Sequence, residues 1–345
     1  MAVVMTGNGP RETRTTAHDA AENTFIEIPV VDFAPMLSRD AKGRAQVADA
    51  IRAASVNVGF FYLINHGVPD AVRDRAFATA RRFFGQSPAE KSAIHMSKSA
   101  YVRGYAPMLA ENLDTANGQG DLKESFDMAF EVPLDHPAMR VSNGIYGPNV
   151  WPEGDTAFRA DISAYYDALL TLSGRLLNAF ALALDLPEDY FDPLLHMPMA
   201  SMRLLHYPPH PAPTGDGQIG AGAHSDYECF TVLAQDDVGG LQVLNRNGDW
   251  IAAPPIPGAF VVNIADMMAR WTNDRFVSTL HRVVNAGGRD RYSIPFFFGP
   301  DYGATIAPLP SCVSAENPPA YPPTLAGRYL EERFAATYSH LREAG

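Results

Sequence analysis

His224-Ser225-Asp226, followed by Phe230-Thr231-Val232-Leu233-Ala234, is the stretch on which the reading of this chain turns. On a strand, residues two apart project to the same face, so His224 and Asp226 can converge on one point. About 55 residues further on, His281 offers a third ligand from the strand-like run Val277 to Asn285. Two imidazoles and one carboxylate on one face of a metal leave its other positions open. That pattern suits a non-haem Fe(II) centre that must also take a co-substrate and dioxygen. An H-x-D tripeptide by itself recurs by chance in many chains; its surroundings carry the weight.

Those surroundings are rich in short β segments. Met202 to Tyr207 reads as a strand stopped by Pro208-Pro209, and Gly240 to Leu244 as another before the Asn247-Gly248 turn and Trp250-Ile251. Ala259 to Ile264 and Arg291 to Phe298 complete the run. Strands separated by turns at this density predict a sandwich or barrel. Helical periodicity falls elsewhere: about Lys42 to Asn57, Asp70 to Phe84, a short helix from Pro88, a major helix from Asp155 to Leu186, and Thr324 to Leu341. In the last of these, Leu325, Tyr329, Phe334 and Tyr338 form the apolar side. The helices flank a β core and do not alternate strictly with strands. A doubly wound sheet is thereby excluded, and a mainly β double-stranded β-helix (jelly roll, cupin-like) with flanking helices is expected.

A second pair complements the first. Arg291 and Ser293 lie two apart on a predicted strand, so a guanidinium fork and a hydroxyl point the same way, well placed to anchor a dicarboxylate.

With these residues in view the chain resembles the isopenicillin N synthase-like group of Fe(II)/2-oxoglutarate-dependent oxygenases. The likeness runs through G-A-H-S-D-Y, T-V-L-A-Q-D-D-V-G-G-L-Q-V, S-T-L-H-R-V and R-Y-S-I-P-F-F-F, and it reaches Ile28 to Asp32 and Gly59 to Val68 near the amino terminus. The resemblance implies Fe(II) held by His224, Asp226 and His281. It implies 2-oxoglutarate held by Arg291, Ser293 and Tyr207, with dioxygen as the oxidant. It also implies oxidation of a small-molecule metabolite with release of succinate and CO2. Hydroxylation is the default outcome, and desaturation or cyclisation use the same oxidant. Substrate contacts are expected at Phe297, Thr231, Leu233, Arg103, Tyr105, Phe126 and Asp127; parity counted from Asp226 fails for Thr231 and Leu233 unless a bulge intervenes. His66, His206 and His210 are read as structural or exposed. Rival readings are an isopenicillin N synthase-type oxidase that uses no 2-oxoglutarate, an ethylene-forming type of enzyme, a non-catalytic metal-binding sensor, and a zinc hydrolase on a cupin-like barrel.

Composition sets the outer bounds. The chain has 345 residues, and a net charge of −12 argues against nucleic acid or an anionic membrane as a general partner. Cys229 and Cys312 are too few for a disulfide framework; with no secretory or transmembrane run, a cytoplasmic setting is expected. Residues 1–24 are polar and read as a disordered tail, and residues 112–120 as a mobile loop. Residues 25–345 form one catalytic domain in this reading: a helical/β region over 25–150, a jelly-roll core over 198–310 and a C-terminal helix over 320–345. Oligomeric state is left open.

Overall fold

The structure, a computed structural model, describes residues 3–12, 25–38, 40–113, 120–209, 219–285 and 288–337. His210, Tyr338, Leu341, residues 13–24 of the expected tail and most of the 112–120 loop lie outside the described residues.

A hairpin comes first, β1 (Val3–Thr6) with β2 (Gly9–Glu12). After β3 (Val30–Asp32), the Asp40 carboxylate caps α1 (Ala41–Asn57) by accepting from Lys42 N. Gly59, at φ +74°, turns the chain from α1 into β4 (Phe60–Ile64); a side chain there would meet Val277 O. Next come α2 (Asp70–Phe84) and α3 (Pro88–Ser92), the latter opened by a Ser87–Glu90 capping box. β5 (Gly104–Ala106) and β6 (Glu124–Ala129) follow. The major helix, α4 (Thr156–Ala183), is capped by Asp155 and buries Phe158, Ile162, Tyr165, Leu169, Leu172 and Leu176 along one stripe.

The remaining strands are β7 (Pro198–Tyr207), β8 (Ala221–His224), β9 (Phe230–Gln235), β10 (Leu241–Leu244), β11 (Trp250–Ala252) and β12 (Phe260–Ile264). After α5 (Asp266–Trp271) come β13 (His281–Val283), β14 (Arg291–Asp301), β15 (Thr305–Ile306), β16 (Thr324–Leu325) and α6 (Ala326–Thr337). Among the described residues, no helix is long and apolar enough to cross a membrane. Cys229 and Cys312 are both free and buried.

Two sheets face each other. The large one runs β3-β4-β12-β9-β14-β7-β6-β5 and the small one β11-β10-β13-β8. The outer strands of the large sheet come from the amino-terminal part, β3 and β4 at one edge and β5 and β6 at the other. One core fills the space between the large sheet and helices α1, α2 and α4. A second lies between the sheets and includes Phe60, Leu205, Tyr207, Leu241, Val243 and Val283. This is the expected double-stranded β-helix with helices outside it.

Three expectations need correction. Residues 3–12 are not tail: Thr6 pairs with Gly9 across a Gly7-Asn8 turn, and Thr6 Oγ1 donates to Gly9 O at 2.7 Å. The polar composition that suggested disorder is the composition of this turn and of its buried polar contacts. The strand expected from Tyr101 begins only at Gly104, because Val102 takes φ +52° and breaks the extended run. Of Val277 to Asn285, only His281–Val283 is strand.

Candidate metal and co-substrate site

His224 ends β8 and His281 begins β13; the two are directly opposite in the antiparallel register. Asp226 lies just past β8, so a turn, and not strand alternation, brings it to the imidazoles. Asp226 Oδ1 is 3.7 Å from His224 Nε2 and 3.7 Å from His281 Nε2, and the three ligand atoms lie within 4.8 Å of one another. Each imidazole is oriented through its other nitrogen: His224 Nδ1 is 2.8 Å from Gly222 O and His281 Nδ1 is 3.3 Å from Thr279 O. A proton on Nδ1 leaves the Nε2 lone pair facing Asp226 Oδ1.

The second Asp226 oxygen is clamped. Thr231 Oγ1 donates to Oδ2 at 2.5 Å and Asn263 Nδ2 at 2.8 Å. Thr231 and Asn263 are paired across β9 and β12, so one rung of the large sheet holds the carboxylate. Burial alone would lift the Asp226 pKa; His281 and His224, with the two donors, outweigh it and hold the carboxyl below its usual range. Burial lowers His224, and burial with His224 beside it pushes His281 down to about 4. Neutral imidazoles and an ionised carboxylate are the forms that ligate a divalent metal.

Beyond the triad, one cavity of about 570 Å³ is lined by both sheets and runs from His224, Asp226 and His281 to Tyr207, Arg291 and Ser293. Arg291 is fully buried. Its Nε donates to Gly239 O at 2.5 Å and Nη1 to Ser293 Oγ at 3.2 Å; the guanidinium sits 4.7 Å from the centre of the Tyr207 ring. Among the described residues, Nη2 is buried without a protein partner. An orphaned guanidinium nitrogen at the far end of a cavity that starts at three converging ligand atoms fits a small dicarboxylate.

Residues 28–154 match the profile of the non-haem dioxygenase in morphine synthesis N-terminal family, and residues 198–300 that of the 2OG-Fe(II) oxygenase superfamily. Among curated proteins, the chain is 38% identical over 315 residues to the 2-oxoglutarate-Fe(II) type oxidoreductase hxnY of Emericella nidulans, covering 90% of each. It is 37% identical over 291 residues to the 2-oxoglutarate-dependent dioxygenase citB of Monascus ruber, covering 82% of this chain and 87% of that one. This chain belongs to the Fe(II)/2-oxoglutarate-dependent oxygenase family. The oxygenase also superposes on a full-length Neurospora crassa protein crystallised in complex with alpha-KG and thymine, with TM-score 0.79 and 31% identity over 90% of this chain and 96% of that one. Its cofactor set is therefore Fe(II), 2-oxoglutarate and dioxygen, and it is an oxidoreductase.

A second cavity of this oxygenase, about 720 Å³, opens on the other side of His224 and Asp226. Arg103, Asp127 and Phe297 line it, and Phe297 also lines the inner cavity with Thr231 and Leu233. Thr231 is committed to Asp226, and Leu233 lies on the Arg291 side. The parity break before them has a cause: the non-strand segment Tyr227–Cys229 carries the chain from the small sheet to the large one. Tyr105 and Phe126 do not reach either cavity. They face each other across β5 and β6 on the helix side, where Phe126 packs against Phe83, Trp151 and Phe158. Tyr105 Oη donates there to Glu124 Oε2 at 2.6 Å. Adjacent strand residues take opposite faces, so Phe126 and Asp127 could not both be contacts. His206 is held between Glu124 and Asp290 at 2.7 Å each, and His66 stacks on Phe260.

Four charged residues of the oxygenase site, and Asn263, escape the sequence reading. Arg203 Nε donates to Asp127 Oδ1 at 2.5 Å, and its Nη1 is 3.0 Å from Glu111 Oε1. Lys123 Nζ pairs with Glu111 at 2.9 Å and with Asp121. Burial opposes ionisation of Glu111, yet Arg203 and Lys123 prevail and hold it well below the carboxylate range, while burial lifts Asp127. Glu228, in the outer cavity, is pushed up to about 8 by burial and by Asp226. Arg203 shares strand parity with Leu205 and Tyr207, a signal legible in the sequence; Glu111, Lys123 and Glu228 carried none.

Proposed function

We propose that His224 and His281 hold Fe(II) through Nε2 and Asp226 through Oδ1, and that Arg291, Ser293 and Tyr207 take the far carboxylate of 2-oxoglutarate. The observation that carries this reading is the buried Arg291 Nη2, unpartnered among the described residues, in the cavity that begins at the three ligand atoms. Leaving such a donor unmet costs about 1–3 kcal/mol, a cost that a ligand oxygen removes. Fe(II) and 2-oxoglutarate supply the activation of dioxygen, and succinate and CO2 are released. The chain's own residues fix the metal ligands, orient the co-substrate from its distal end and keep the inner cavity dry with Phe60, Leu233 and Leu241.

Substrate is assigned to the outer cavity, and hydroxylation is the assigned outcome. That cavity mixes Arg103, Asp127, Arg203 and Glu228 with Met128 and Phe297. This lining suits a compact metabolite bearing several hydrogen-bonding heteroatoms, and the thymine complex of the Neurospora crassa protein supports the size and polarity of that class.

The test is anaerobic titration of the Fe(II)-loaded protein with 2-oxoglutarate, following the visible metal-to-ligand charge-transfer band, in wild type and in Arg291→Ala. A band in wild type that requires about 100-fold or more co-substrate in the variant is expected for a lost bidentate pair. Equal titrations would move 2-oxoglutarate away from Arg291.

A further inference from the structure

Between the two first ligands, Ser225 Oγ donates to Asp266 Oδ2 at 3.2 Å. Asp266 is fully buried at the start of α5, and its backbone N–H donates to Asp226 O at 3.0 Å. Its Oδ1 accepts from Ser278 Oγ at 2.7 Å, on the approach to His281. Its Oδ2 also accepts from Gly7 N at 2.9 Å, in the turn of the amino-terminal hairpin. One carboxylate thus joins the metal-binding turn, the lead-in to β13 and a segment more than two hundred residues away in sequence.

The hairpin is seated, not merely adjacent. Asn8 Nδ2 donates to Asp266 O at 3.2 Å, and Arg270 Nε to Asn8 Oδ1 at 2.8 Å. Arg11 donates to Ser278 O, and β1 packs against β8, the strand that ends in His224. Gly7 permits the approach: a Cβ there would stand 2.6 Å from Asp266 Oδ2 and collide with Tyr329 Oη. A buried carboxylate that loses a donor must recruit another or shift, and the groups in reach are Tyr329 Oη, 3.5 Å from Oδ2, and the two serines that brace the ligand segments.

We infer that the Val3–Glu12 hairpin is a clasp on the metal centre, in which the Gly7 amide acts through Asp266 and Ser225 to position the turn that presents His224 and Asp226. Gly7, Asp266 and Ser225 are positioning residues, and the inference rests on the metal assignment above.

The experiment uses full-length protein loaded anaerobically with Fe(II) and challenged with ferrozine, alongside hydrogen exchange. Gly7→Ala is expected to release Fe(II) about tenfold faster, in the range for groups that orient metal ligands. Exchange should rise over residues 221–228 and stay unchanged in α4 and β14. In a Ser225→Ala background the Gly7 change should add little, because the link is already cut; additive effects would mean that the hairpin does not act through Ser225 and would overturn the chain of contacts. Should Gly7→Ala fail to fold, Asn8→Ala removes two of the hairpin's side-chain bonds without intruding on packed space. Wild type that keeps Fe(II) while hairpin-released variants keep it equally overturns the clasp alone. Wild type that retains no Fe(II) overturns the metal assignment, and the clasp with it.

Discussion

At the scale of single residues, the site is governed by which atom of each side chain is already occupied. Backbone carbonyls sit against Nδ1 of both imidazoles, and Thr231 and Asn263 occupy Oδ2 of Asp226, so the remaining lone pairs converge by elimination. Removing one of these supports leaves the ligand present but less well aimed. Thr231→Val keeps shape and burial while deleting the hydroxyl that donates to Asp226. We expect Fe(II) affinity, measured by competition with a metal indicator, to fall about tenfold with the fold retained. Unchanged affinity would show that Asn263 alone suffices. The residue types His224, Asp226, His281, Arg291 and Ser293 were legible in the sequence because their spacing is local or motif-borne. Asn263 was not, because its bond to Asp226 joins β12 to the segment after β8, 37 residues away in sequence.

At the scale of elements, strand parity decides which side chains meet substrate. Phe126 and Phe297 are the same residue type on neighbouring parts of one sheet, yet Phe126 points to the helices and Phe297 to the cavities. Phe126→Ala is expected to lower unfolding free energy by about 3–5 kcal/mol with the 2-oxoglutarate titration unchanged. Phe297→Ala should cost less stability and shift that titration. If both variants behaved alike in the two measurements, the assignment of faces would be wrong. Element positions were largely readable: α2 spans Asp70–Phe84 as its periodicity predicts, and α4 falls within the long apolar run. The hairpin was not, since Gly7-Asn8 between the apolar Val3–Thr6 and the polar Gly9–Glu12 signals a turn but not what the turn docks on.

At the scale of the whole molecule, the stretches matched by the two family profiles share one sheet. Phe60 to Leu63 pair with Asn263 to Phe260, and Glu124 to Ala129 pair with His206 to Ser201, so the amino-terminal strands flank the strands of the jelly roll on both sides. The core behind that sheet draws on both parts as well. Neither part can expose its face of the sheet without uncovering the other's core, so denaturant unfolding of the apoprotein is expected to be one transition, coincident by fluorescence and circular dichroism. Two separated transitions would instead make the parts independent domains. The sequence by itself determined the class of chemistry, through ligand types in the His-x-Asp and Arg-x-Ser motifs and their neighbouring runs, and the β-rich architecture, through short runs between turns. Only the tertiary structure decided which face each strand shows, that Arg203, Glu111 and Lys123 form one charged wall, and that residues 3–12 reach the metal-binding turn. Those outcomes depend on register between strands far apart in the chain and on close approach at Gly7, where what matters is the absence of a side chain and the identity of a distant neighbour.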